Sequence, residues 1–223
     1  MLKERYPKVV IFDDYLDESQ WRLLIEYVRS NGDNFQPMPR DFPLRWEEKH
    51  SKEYSKDYVV NKIITDEKFE MLMSGEQQEE DILPSDALGF YKDMSSPPWV
   101  TEILYSMFES VKNQIMRLWG VDTYYEGIHA ITAMPHGVSM RSHVDGYLIG
   151  NQKLSDFSSI YYINDDFDGG EVVFENIGLS FKPNKNSLIV FSDSHSERMI
   201  HSVNMVKSGT RYMSQCFFTT QKS

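Results

Sequence analysis

Apolar positions in this chain change period more than once along its length. Val9 to Phe12 form a short continuous apolar run that reads as a strand. Asp17 or Ser19 then caps a helix running to about Arg29, with Trp21, Leu24, Ile25 and Val28 on one face. From Asn31 to Pro98 the pattern deteriorates: Pro37, Pro39 and Pro43 break structure, Trp46 to Tyr58 is charged and tyrosine-rich, and Ser74 to Asp81 is strongly polar. Pro97-Pro98 open a second helix from about Trp99 to Trp119. Ile103, Leu104, Met107, Phe108, Val111, Ile115 and Leu118 fall at helical spacing, and Gly120 stops it. After Tyr124 short strands follow in quick succession, divided by polar turns at Gly150-Asn151-Gln152 and Pro183-Asn184-Lys185-Asn186. Two helices followed by a run of strands predict a mainly β domain, with the helices buttressing one sheet.

Within the strand-rich part, His143-Val144-Asp145 has the alternation that lets His143 and Asp145 reach one metal while Val144 points away. Two imidazoles and one carboxylate suit one face of an octahedral Fe(II). The third ligand must come from a distant strand, and His201 is the candidate. After His201 the chain reads as a strand, a turn at Lys207-Ser208-Gly209 and a second strand from Arg211 to Thr219, a hairpin that returns Arg211 toward the metal. Whether Arg211 shares a face with His201 depends on register, because one residue of loop length or a bulge flips a strand, and both registers fit the sequence.

Each signal alone has a plainer explanation. Ile160 to Ile163 would pass as a buried strand, Gly169-Gly170 as a turn after Asp165-Asp166-Phe167-Asp168, and Arg211 as an edge-strand surface residue. His50, His129, His136 and His195 are assigned structural roles. His195 sits in the polar stretch Ser192 to Arg198, which makes it the weaker ligand candidate beside His201.

Block order changes the balance. His143-Val144-Asp145, Ile160-Tyr161-Tyr162-Ile163-Asn164, Gly169-Gly170-Glu171-Val172-Val173-Phe174, Ser187-Leu188-Ile189-Val190-Phe191 and the run from His201 to Arg211 resemble the ordered blocks of the prolyl 4-hydroxylase branch of the Fe(II)/2-oxoglutarate-dependent oxygenases. The resemblance covers roughly residues 125 to 219.

It implies a double-stranded β-helix, a distorted jelly roll with helices outside. His143, Asp145 and His201 would hold iron. Arg211, assisted by the Tyr162 hydroxyl, would bind the distal carboxylate of 2-oxoglutarate, while Ile160, Val172, Val203 and Phe217 would line the cosubstrate pocket. The implied cofactors are Fe(II) and 2-oxoglutarate, with ascorbate a further candidate. The implied reaction uses dioxygen to hydroxylate a C–H bond, of a peptidyl proline first and of a free amino acid or other small molecule second, releasing succinate and CO2. A metal- or ligand-holding cupin-like protein without turnover is the competing class. Candidate substrate loops are residues 37 to 60 and 135 to 142, with Arg141, Tyr147 and Trp46 as candidate contacts. One departure stands out: where the family often places a tyrosine before the metal motif, this chain has Met134.

Whole-chain properties narrow the partners. A length of 223 residues fits a single domain, with 1 to 120 as helical support and variable loops and 121 to 220 as the metal-binding core. A formal net charge of -11 and a pI near 5.0 argue against nucleic acid, as does Phe217 where base-repair relatives would carry a second arginine. The single cysteine, Cys216, excludes an internal disulfide framework and should pack as a small hydrophobe. With no apolar run near the roughly 20 residues that span a bilayer and no secretory leader, a cytoplasmic protein without a membrane partner is expected.

Overall fold

The computed structural model describes residues 2–5, 8–37, 91–93, 96–128, 131–143, 145, 148–149, 152–153, 156–192 and 199–220. Its strands, in chain order, begin with β1 (Leu2–Arg5), β2 (Val9–Phe12), β3 (Gln36–Pro37), β4 (Tyr91–Lys92), β5 (Tyr124–Ile128), β6 (Thr132–Pro135), β7 (Met140–His143), β8 (Leu148–Ile149) and β9 (Gln152–Lys153). They continue with β10 (Phe157–Tyr162), β11 (Asp168–Gly169), β12 (Val172–Phe174), β13 (Leu179–Phe181), β14 (Ser187–Ser192), β15 (His201–Val203), β16 (Val206–Ser208) and β17 (Thr210–Thr219). Helix α1 spans Glu18–Asn31 and helix α2 spans Pro98–Trp119.

Both helices end where local chemistry requires. Asp17 caps α1 by accepting from the Gln20 amide at 2.9 Å, and the chain leaves α2 through Gly120 in the left-handed region, φ 73°. Trp21 ties α1 to the sheet by donating its indole N–H to the Ile163 carbonyl at 2.7 Å.

Among the described residues, a large antiparallel sheet runs in the order β1-β2-β14-β10-β17-β6-β4-β3, with β5 also pairing along β17, and a smaller one runs β13-β12-β15-β7. Period-2 alternation divides the strands of the large sheet between two cores. Val10, Phe12, Tyr161, Ile163, Leu188 and Val190 pack with Leu24, Ile25 and Val28 of α1 and Leu104, Phe108 and Val111 of α2. Val9, Ile11, Ile160, Tyr162, Ile189 and Phe191 point the other way, into a second core shared with Val172, Phe174 and Val203 of the smaller sheet. This is why these strands read as unbroken apolar runs: helices cover one face and a sheet covers the other. The result is the expected jelly roll with helices buttressing one sheet. Cys216 lies fully buried in the helix-side core, as expected.

Asn186 closes the N-terminal end of the fold. With φ 52°, it accepts from the Leu16 amide (3.0 Å) and the Tyr161 hydroxyl (2.8 Å) and donates to the Leu16 carbonyl (2.9 Å). Asparagine tolerates the left-handed conformation, and its amide here meets both backbone groups of Leu16.

One expectation requires correction. The strand after His201 does not form a hairpin with the Arg211 strand. β15 belongs to the smaller sheet, β16 pairs with β11, and β17 crosses to the centre of the large sheet. The crossing fits because Gly169 (φ 71°) lets β11 approach closely: a Cβ there would lie 2.1 Å from the Met205 carbonyl oxygen. Arg211 therefore reaches the interior from the opposite wall to His201, and no shared strand register relates them.

Candidate active site

The smaller sheet positions the metal-ligand candidates. His201 pairs across β15–β12 with Phe174 and across β15–β7 with His143, so the backbone sets the two histidines directly opposite one another. The His143 side chain lies outside the described residues, as do Trp46, Tyr147 and the Arg141 side chain. His201 is 2% exposed, with Phe174 and Phe191 packed around its ring at centroid distances of 5.5 and 5.0 Å. Its Nδ1 lies 2.9 Å from the Met199 carbonyl, which can only accept, so Nδ1 carries a proton and Nε2 is the ring nitrogen that can bind a metal. That nitrogen faces Asp145 Oδ2 at 3.6 Å, with Asp145 itself 4% exposed. Two ligand bonds of about 2.1 Å each span such a gap, so an imidazole and a buried carboxylate here fit a shared cation.

The large sheet supplies the other wall. Arg211 is fully buried on β17, directly across from Met134 on β6, and Met213 two residues on shares its face. Nη1 donates to the sulfurs of Met134 (2.8 Å) and Met213 (3.2 Å), while Nε and Nη2 have no hydrogen-bond partner among the described residues. The guanidinium lies 4.9 Å from the centroid of the Tyr162 ring, and the Tyr162 hydroxyl, likewise buried, interacts with the guanidinium without a close hydrogen bond to any described residue. Burial holds the Tyr162 phenol above its usual range against the lowering effect of Arg211, with Asp145 adding a smaller upward push. Desolvation draws the Arg211 pKa downward, yet guanidinium stays charged in proteins.

A buried cation with two parallel N–H bonds unused, beside a buried phenol hydroxyl, is costly unless an anion completes it. Nε and Nη2 form the fork that matches a carboxylate. The donor set therefore fits the distal carboxylate of 2-oxoglutarate, and the paired His201 and Asp145 fit the metal.

Ile160, Val172 and Val203 all lie buried in the core between the sheets, Val172 paired with Val203 across β12–β15. Phe217 shares the β17 parity of Arg211, six residues further on, where the strand leaves β6 for β5. The structure also brings in residues that the sequence did not mark as functional: Met213, Gly170 and the Met199 carbonyl. Strand parity alone would have found Met213. Gly170, at φ 66°, leaves room for the arginine stem, since a Cβ there would lie 3.3 Å from Arg211 Cδ. Of the remaining histidines, His136 is exposed and bonded through Nδ1 to the Lys207 carbonyl, while His50, His129 and His195 lie outside the described residues.

Among the described residues no helix is long and apolar enough to cross a membrane. Residues 129–219 match the model of the 2OG-Fe(II) oxygenase superfamily. The comparison with curated proteins gave no match. Among solved structures, the viral collagen prolyl hydroxylase of Paramecium bursaria Chlorella virus-1, in its 2OG complex, aligns with a TM-score of 0.58 at 14% identity over 96% of this chain and 97% of that one. A Pseudomonas putida prolyl-4-hydroxylase aligns at 0.58 and 15% identity over 96% and 93%. A Trichoplax adhaerens prolyl hydroxylase, in complex with a hypoxia inducible factor oxygen degradation domain peptide fragment, aligns at 0.57 and 15% over 96% and 84%. The segment that spans Asp145, Tyr162, His201 and Arg211 thus matches the 2OG-Fe(II) oxygenase superfamily, and the chain that carries it has the fold of the prolyl hydroxylases.

Proposed function

We propose that this oxygenase hydroxylates a C–H bond of a peptidyl proline, turning one dioxygen and one 2-oxoglutarate into the hydroxylated product, succinate and CO2. In this reading His143, Asp145 and His201 hold Fe(II), which when bound supplies dioxygen activation. Arg211 and Tyr162 hold the distal carboxylate of 2-oxoglutarate. The observation that carries the reading is the fork of the fully buried Arg211, which no described residue occupies with a hydrogen bond, together with the buried Tyr162 hydroxyl beside it.

The chain's own residues bind, orient and exclude water. The Met199 carbonyl fixes the His201 tautomer, and Phe174 and Phe191 fix its ring. Ile160, Val172 and Val203 surround the site with buried apolar side chains, so a carboxylate would meet Arg211 away from solvent, where charge-assisted bonds are strongest. The peptidyl substrate is supported by the prolyl hydroxylases that share the fold, one of which is peptide-bound.

Mass spectrometry across proline-containing peptides and free amino acids, with Fe(II), 2-oxoglutarate and oxygen, tests the substrate. A gain of one oxygen atom on a peptide is expected, and reaction of free proline alone would replace the peptidyl assignment. Replacing Arg211 with Ala should raise the 2-oxoglutarate requirement far more than the iron requirement. Equal changes in both would remove the arginine from its assigned role.

A further inference from the structure

Sulfur holds one side of the Arg211 guanidinium. Met134 approaches Nη1 from the neighbouring strand β6 and Met213 from two positions along β17, both buried on the interior face. The nitrogen they occupy is the one outside the fork. Nε and Nη2, whose N–H bonds run parallel, are left over. Thioether sulfur is a weak acceptor, able to orient an N–H but carrying no charge to neutralise the cation. A carboxylate in the same place would form a resident ion pair and occupy the arginine permanently.

We propose that Met134 and Met213 are positioning residues for the cosubstrate, a sulfur clip that fixes the rotation of the guanidinium, keeps its fork turned into the cavity and leaves its charge for the incoming ligand to complete. The proposal rests on Arg211 as the 2-oxoglutarate anchor and adds a determinant of selectivity. A fixed fork bonds both oxygens of a carboxylate. Against a terminal amide it sets one N–H donor against another. If the clip is lost the guanidinium can turn, and selectivity for the carboxylate shrinks. The contact also gives Met134 a role at the position where the resembling enzymes often carry tyrosine.

The test is calorimetric titration of the Fe(II)-loaded protein without oxygen, comparing 2-oxoglutarate with 2-oxoglutaramate, its analogue with a neutral amide at the distal end. Wild type should prefer the dicarboxylate. The double variant Met134→Leu/Met213→Leu keeps side-chain volume and removes both sulfurs. Its Kd for 2-oxoglutarate should rise about tenfold while that for the amide moves less than about twofold. The single leucine variants should fall between, and they carry the test if thermal unfolding shows the double variant to be unfolded. Equal weakening of both ligands, or unchanged preference in folded leucine variants, would overturn the clip and leave the anchor standing. Absence of any preference in wild type would remove the anchor and the clip together.

Discussion

The Arg211 guanidinium lies against the face of Tyr162, 4.9 Å from its ring centroid, and the two side chains enter the interior from neighbouring strands β17 and β10. The ring faces a buried cation, so it contributes through its quadrupole as well as its hydroxyl. These contributions can be separated. Tyr162→Phe keeps the ring and should raise the apparent 2-oxoglutarate requirement about tenfold with little change in urea stability. Tyr162→Ala should in addition lose about 3–5 kcal/mol of stability. Wild-type cosubstrate kinetics in the phenylalanine variant would place the hydroxyl away from the carboxylate.

Asp145 faces His201 Nε2 in a buried setting, so Asp145→Ala removes an anion from the cation position without opening the apolar core. Iron binding, followed by anaerobic equilibrium dialysis, should weaken by about a hundredfold or more, and succinate formation should cease while circular dichroism stays native. Retained iron affinity would count against Asp145 as a ligand.

Gly170→Ala probes the arginine from its stem. The added Cβ would stand 2.9 Å from the Phe167 ring and 3.3 Å from Arg211 Cδ, at a φ of 66° that alanine rarely adopts. A loss of about 1–3 kcal/mol in chemical denaturation is expected, together with weaker 2-oxoglutarate binding. A variant as stable as wild type would show that this turn relaxes freely.

Alkaline pH tests a site away from the chemistry. Tyr27 donates to Asp93 at 2.7 Å, and burial, reinforced by that carboxylate, pushes its phenol up from 10.0 to about 12. A raised pKa means the folded state holds the proton more tightly. Its stabilising contribution is therefore complete below the unfolded value near 10 and is lost as pH rises toward 12. Tyr27→Phe should flatten the fall in stability across that window, measured by urea midpoints. An unchanged slope would remove Tyr27 from the alkaline transition.

Much of this arrangement was legible in the sequence. Both helices could be read because their apolar faces repeat at helical period beside clear boundary signals, Asp17 starting the first before Glu18 and Gly120 stopping the second after Trp119. Ile160 to Ile163 and Leu188 to Phe191 were legible as strands, but their division between two cores was not. When both faces are buried, every position is apolar and the alternation disappears from view. The path from His201 to Arg211 is hidden for a different reason. A turn at Gly209 looks the same in sequence whether the next strand folds back on its partner or crosses to another sheet, and only the long-range pairings of β11 with β16 and of β10 with β17 decide. The clip on Arg211 was half visible: Met134 stood out as an unusual residue, but its contact with the guanidinium needed the β6–β17 register.

Strand β17 follows every other described strand in the chain yet sits inside the large sheet, flanked by β10 on one side and by β6 and β5 on the other. During translation the neighbours on both sides of this gap emerge from the ribosome well before the segment that joins them. Until then β10 and β6 expose unpaired edges, the kind of surface that invites misassociation of nascent chains and the attention of chaperones. A stop codon shortly before Thr210 would remove the sheet's central staple along with Arg211, so such a truncation should accumulate as aggregate instead of as a folded protein.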